Sequence, residues 1–173
     1  MTNLSKRALC GVVMSRAAAV VAVMLGLTSP AFGQGRALEG VWAVATQDRD
    51  CTTNAPRGAP TRALVTYSFG GIVSESRYIP VFALGQLSDS HGIWNFAGGT
   101  TYEGRVVTMI NFETAAGTPP GSPGFLAGWM LASQTITLTG PHSFTMTGST
   151  QMFNLDLGVY RVGCASRTGE RLR

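Results

Sequence analysis

Leu38-Glu39-Gly40-Val41-Trp42-Ala43-Val44-Ala45-Thr46 is the stretch on which the reading of this chain turns. The bulky residues Trp42 and Val44 alternate with the small Ala43 and Ala45, a period of two that puts one face against a core. A segment of this kind forms a β-strand, and here it reads as the first strand of a small closed barrel. Downstream of residue 33 the same texture continues: period-two alternation, frequent β-branched and aromatic residues, and no convincing helical stretch. Eight strands fit, at 38–46, 61–69, 72–79, 92–97, 100–113, 126–139, 143–153 and 157–172. The expected fold is all-β, an eight-stranded antiparallel up-and-down barrel without a C-terminal helix.

The connections carry the topology. Gly70-Gly71, Gly98-Gly99 and Gly140-Pro141-His142 are tight and glycine-bearing, suited to the positive φ of hairpin turns. Between them lie three long connectors, Gln47 to Pro60, Pro80 to His91 and Thr114 to Phe125. In a meander, alternate connections fall at opposite ends, so the long loops ring one end and the tight turns close the other, apart from a short turn over Asn154 to Asp156. The run GTPPGSPG at residues 117–124 reads as a mobile loop over that mouth.

Alternation then assigns an interior face, taking in each strand the face with fewer charges. In the longest strand Tyr102, Gly104, Val106, Thr108, Ile110 and Phe112 point in, and Glu103, Arg105, Asn111 and Glu113 point out. The same rule turns inward Trp42 and Val44, Val65, Tyr67 and Phe69, Trp94 and Phe96, Met130 and Ile136. It does the same for Phe144, Met146, Met152 and Tyr160. Polar groups expected on the interior face are Tyr67, Ser76, Tyr78, Thr108 and Gln134, while Glu75 is expected on the solvated outer face. Small residues in mid-strand, Gly104, Gly128, Ala132 and Gly148, mark a bend or a place where something approaches the backbone.

The sequence before Leu38 is of another kind. Lys6, Arg7 and Arg16 precede or flank an apolar run from Ala17 to Leu27, and Ala31-Phe32-Gly33 offers small residues for cleavage. Residues 1–33 are expected to be a secretory signal and 34–173 a single barrel domain. The apolar run is shorter than the ~20 residues a membrane-spanning helix needs, so no retained anchor is expected. Once the signal is removed, ten Arg face nine Asp or Glu, and no Lys remains. That near-neutral balance gives no electrostatic reason for a nucleic-acid or anionic-membrane partner. Two cysteines stay, Cys51 and Cys164, and an even pair in a secreted or periplasmic chain favours one disulfide, with two free thiols as the alternative.

Motifs that carry chemistry are few. The chain has no G-x-S-x-G elbow, no phosphate-binding P-loop and no G-x-G-x-x-G opening a helix. No metal-ligand spacing links its histidines and cysteines, so neither metal nor cofactor is expected. His91, in Ser90-His91-Gly92-Ile93-Trp94, is a weak candidate for a general base, provided that it faces the mouth; otherwise it fixes a turn.

Gly40-Val41-Trp42 resembles the G-x-W signature of lipocalins and related calycin barrels, and Arg171, in Gly169-Glu170-Arg171-Leu172, best matches the arginine near the end of their last strand. The resemblance implies that Trp42 closes the barrel floor beneath Arg171, a structural role. The chain also looks like a group of uncharacterised exported bacterial barrels, through Thr66-Tyr67-Ser68-Phe69-Gly70-Gly71, His91-Gly92-Ile93-Trp94 with Tyr102, and Gly163-Cys164-Ala165. It departs from lipocalins proper in lacking the T-D-Y motif.

An eight-stranded barrel is just wide enough to be filled by its own side chains or to hold one small ligand. The first expectation is an exported barrel holding a small hydrophobic molecule against Tyr67, Trp94, Phe96, Tyr102, Thr108, Ile110, Met130, Gln134 and Met146. The alternatives are a cyclase or isomerase using His91, and a filled structural barrel. The sequence sets no oligomeric state.

Overall fold

The computed structural model describes residues 35–79, 86–112 and 125–173. Eight strands run in chain order: β1 (Gly40–Arg49), β2 (Pro56–Ser68), β3 (Ile72–Tyr78), β4 (Ser90–Gly98), β5 (Thr101–Phe112), β6 (Phe125–Gly140), β7 (Ser143–Asn154) and β8 (Val159–Arg171). Each pairs antiparallel with the next, and β8 returns to β1, which closes the barrel. This is the expected all-β, up-and-down architecture, compatible with a calycin-like fold. The expected signal at 1–33, the loop at 117–124 and Glu113 lie outside the described residues, as does the side chain of Phe112.

The registers place Gly40, Ser68, Ile72, Thr101, Gly140, Ser143 and Arg171 at one end of the barrel and Arg49, Pro56, Phe112, Phe125, Asn154 and Val159 at the other. The tight turns thus share the floor end and the longer connections share the mouth. The first long connector is shorter than the sequence implies, because β2 starts at Pro56 and pairs with Arg49. Pro56, Gly58 and Pro60 read as turn residues. The strand nonetheless passes through them as an exposed arm with a bulge between Thr46 and Asp48. Gln47 holds the bulge by donating its amide to the carbonyls of Arg57 and Gly58 at 2.9 and 3.2 Å.

At the floor Trp42 is fully buried, and its indole N–H donates to the Leu38 carbonyl at 2.9 Å. Leu38 lies in a turn before β1, where it plugs the barrel from below. The Arg171 guanidinium sits over the Trp42 ring, 4.3 Å from its centroid, as the lipocalin resemblance implies. Arg171 also donates to the carbonyls of Glu39, Ala37 and Pro141, so one side chain ties three floor segments. Gly40 is required beneath it: its φ is +131°, and a Cβ there would meet Arg171 Nη1 at 2.6 Å. Phe144 leans on Trp42 with ring centroids 4.9 Å apart, and Tyr67, Trp94 and Tyr102 extend the aromatic layer upward.

The wall is not uniform. The β5–β6 and β6–β7 ladders run nearly the whole length of their strands. The β3–β4 ladder covers only Ile72–Glu75 against Ser90–Ile93. Above Glu75, the segment before β4 pairs with β5 instead, through the bridge Leu87 to Ile110 and the bonds from Ser88 N–H to the Met109 carbonyl and from Asn111 N–H to the Gln86 carbonyl. Among the described residues, Ser76 to Tyr78 therefore have no ladder partner on the β4 side.

Candidate functional site

Above the aromatic layer the interior changes character. Glu75 and Arg167 are buried, their side chains 3% and 5% exposed, and they face one another across the lumen from β3 and β8. Arg167 grips the carboxylate with both terminal nitrogens, Nη1 at 2.9 Å from Oε2 and Nη2 on Oε1. Its Nε donates to Thr46 Oγ1 on β1 at 2.7 Å. Such a planar fork matches a carboxylate in geometry as well as in charge. Arg77, two residues along β3 on the same face, adds a second cation, with Nε 3.8 Å from Glu75 Oε1.

Burial by itself pushes the Glu75 carboxyl up, but the Arg167 charge, its hydrogen bonds and the Arg77 charge outweigh that and hold it below the ordinary glutamate value. Burial likewise works against the Arg167 cation, and Glu75 more than restores it. Arg77 is the exception: burial dominates, Glu75 compensates only in part, and Arg167 repels it, so its pKa falls below the usual arginine value. Its hydrogen bonds match that imbalance. Nη2 reaches Thr108 Oγ1 at 3.4 Å and Met130 Sδ at 3.7 Å, both long, and the buried Nε has no hydrogen-bond partner among the described residues. Thr108 is committed elsewhere, sharing a 2.6 Å hydrogen bond with Ser90. The Tyr67 hydroxyl is likewise buried without a partner among the described residues.

Two cavities meet at Arg77. A water-sized one, about 30 Å³, lies between Arg77 and Arg167 and is bounded by Ala132, Gln134, Met146, Gly148 and Thr150. Above it, at the mouth, a cavity of about 310 Å³ is bounded by Arg77, Ile79, Met130, Thr150, Met152 and Val162. Asp48, Arg49, Arg57, Arg161 and the cystine complete its rim. Cys51 and Cys164 are bonded, with Cα atoms 5.2 Å apart, so the disulfide pins the β1–β2 connection to β8 beside this opening. Asp50 caps that connection by accepting from the N–H groups of Thr53 and Thr52 and pairing with Arg57. Those bonds lower its pKa to about 2.

Of the expected interior residues, Tyr67, Trp94, Tyr102, Thr108, Ile110, Met130 and Met146 are buried, and Phe96 and Gln134 are half-buried. They do not form one site. Tyr67, Trp94, Phe96 and Tyr102 pack on each other and on the floor, and they fill the lower lumen rather than line a cavity. Met130 reaches the mouth cavity, while Gln134 and Met146 border the small one.

Several expectations are corrected. On β3 the faces are reversed: Val73, Glu75 and Arg77 point in, whereas Ser76 and Tyr78 are exposed. Choosing the less charged face fails there because the charges neutralise one another inside. Phe69 is 75% exposed because it falls in the β2–β3 turn, under the Arg36 guanidinium. Tyr160 is exposed because the inward face of β8 is the one that carries Arg167 and Gly169, which puts Tyr160 on the opposite phase. His91 is exposed on the outer face of β4, opposite Ser74 and Val107, and alternates with the buried Ser90. It does not reach the interior, which removes the premise for a base at the mouth.

Glu75, Arg77 and Arg167 are the residues that sequence reasoning missed. A signal was present: opposite charges at positions 75 and 77 on one strand face, and an arginine at 167 flanked on its own face by Ala165 and Gly169, which leave room for a long side chain. No protein-family model matches this chain, and no curated protein matches it, so the site rests on its own geometry.

Proposed function

We propose that this chain is an exported, lipocalin-like barrel that carries a small hydrophobic molecule at the mouth end of its lumen. The observation that supports this reading is the division of the interior. A packed aromatic layer blocks the floor, while a cavity of about 310 Å³ stays open above it, against Ile79, Met130, Met152 and Val162. That volume lies at the lower end of the range for small-molecule sites, ~300–1,000 Å³. The cystine beside the cavity fits an oxidising compartment, in keeping with the signal-like sequence at residues 1–33. In this reading the lower aromatic residues support the site and do not contact the ligand.

Titration with the neutral fluorophore Nile red tests it. The expected result is saturable binding at one site per chain, lost when Met152→Trp fills the mouth cavity and retained when Phe96→Leu alters the lower layer. Absence of saturable binding, or binding indifferent to Met152→Trp, would overturn the reading.

A further inference from the structure

The mouth cavity is more cationic than a site for a purely apolar molecule requires. Arg49, Arg57, Arg77 and Arg161 stand around it against one carboxylate, Asp48. Arg57 is neutralised by Asp50, and Glu75 below is held by both oxygens on Arg167. Arg49 donates to the Ser166 hydroxyl and the Asn54 carbonyl, neither of them charged. Arg77 is 14% exposed, borders both cavities, lies 3.8 Å from Glu75 through Nε, and among the described residues donates only two long hydrogen bonds, both through Nη2.

A desolvated guanidinium with unused N–H groups, at the base of an otherwise partly apolar cavity, is built to receive an oxyanion. Met130 and Met152 flank the space above it, and thioether side chains adapt to irregular apolar bodies. We propose that the ligand is an anionic amphiphile whose head, a carboxylate or a phosphate, docks on Arg77 while its apolar body lies against Met130 and Met152 at the mouth. The inference rests on the binding function proposed above and adds the ligand's charge and orientation to it. It also gives a role to the buried pair beneath: with both Glu75 oxygens hydrogen-bonded to Arg167, the carboxylate compensates the Arg77 charge in part but accepts no hydrogen bond from it within 3.5 Å, which leaves its N–H groups for an incoming anion.

Isothermal titration of the disulfide-intact protein with octanoate, octyl phosphate and octanol, at constant pH and ionic strength, tests the inference. One or both anions should bind at least tenfold more tightly than the alcohol, and which of the two gains more identifies the head group. Arg77→Met should abolish that preference, so that the anions bind no more tightly than octanol does to the same variant. Equal binding of all three compounds would overturn the inference and leave the binding function standing. A preference that survives Arg77→Met would overturn the assignment to Arg77. Failure of all three to bind, together with failure of Nile red, would remove both. If Arg77→Met does not fold, NMR of carboxyl-labelled octanoate on the wild-type protein decides. A head group on Arg77 titrates below its free value, and an unshifted midpoint would overturn the inference.

Discussion

Replacing Glu75 by Gln should be among the most damaging substitutions in this barrel, although it alters one atom. The amide keeps the size and some of the hydrogen bonding of the carboxylate but leaves Arg167, 5% exposed, without its counter-ion. Arg77 then faces Arg167 with no anion between them, and their repulsion is already evident with Glu75 in place. Breaking a buried pair by removing one partner costs about 3–5 kcal/mol. For a folded unit of about 140 residues, unfolding entropy near 2.1 cal/mol/K per residue converts that to a Tm lower by ~10–17 °C. The double variant Glu75→Leu/Arg167→Met removes both charges and fills the space with apolar atoms, so it should return to within ~1 kcal/mol of the wild type. Urea denaturation of the disulfide-intact proteins, followed by tryptophan fluorescence, measures both effects, and unchanged m-values would show that the same transition is compared. A loss below ~1 kcal/mol for Glu75→Gln, or a double variant as unstable as the single, would refute this account of the pair.

The same carboxylate sets an acid limit. Its folded pKa is depressed, so its stabilisation is complete above the ordinary value of 4.5 and is lost as pH falls through the lower folded value. Wild type should therefore lose stability more steeply than Glu75→Gln below that pH, with Asp50 contributing between 3.8 and about 2, and parallel acid limbs in pH-dependent melts would contradict this. At the floor, Trp42→Ala should cost ~3–5 kcal/mol by leaving a cavity under Phe144, and Arg171→Met ~1–2 kcal/mol by freeing three carbonyls; chemical denaturation reads both. Gly169→Ala places a methyl group into the Phe144 ring and should cost ~1–3 kcal/mol, an effect that Gly169→Ala/Phe144→Leu should relieve. Reducing Cys51–Cys164, which spans 113 residues, should lower stability by ~2–4 kcal/mol while leaving far-UV circular dichroism that of a β-barrel at room temperature.

The fold was legible because each strand carries its own period and each floor turn its own glycines. The floor was legible for a different reason: Gly40, Trp42 and Arg171 act together, and only glycine satisfies the backbone beneath that guanidinium. The start of β2 was hidden by Pro56, Gly58 and Pro60, whose local preference for turns is overridden by pairing to Asp48 and Arg49. The ionic layer was hidden because its members are distant in sequence. Glu75 and Arg167 lie 92 residues apart, and each alone looks like a surface charge. His91 stands three residues before a buried tryptophan yet faces outward, since positions an odd number of residues apart on a strand point to opposite faces.

The ionic layer sits at the level where the barrel wall is weakest. The β3–β4 ladder stops at Glu75 and Ser90, so above it β3 lacks backbone bonds on one side among the described residues. At that level side chains bridge the lumen instead: Arg167 on β8 to Glu75 on β3 and Thr46 on β1, Arg77 on β3 to Thr108 on β5, and Thr108 to Ser90 on β4. Five strands are joined where a continuous ladder would join neighbours only. An apolar filling could occupy the same volume at equal or greater stability, but it has no direction and would not tie β3, which above Glu75 is laddered to β2 alone among the described residues, to β8 across the lumen. Arg167 satisfies its donors only when Glu75 and Thr46 meet it at one height, a geometric requirement that apolar side chains do not impose.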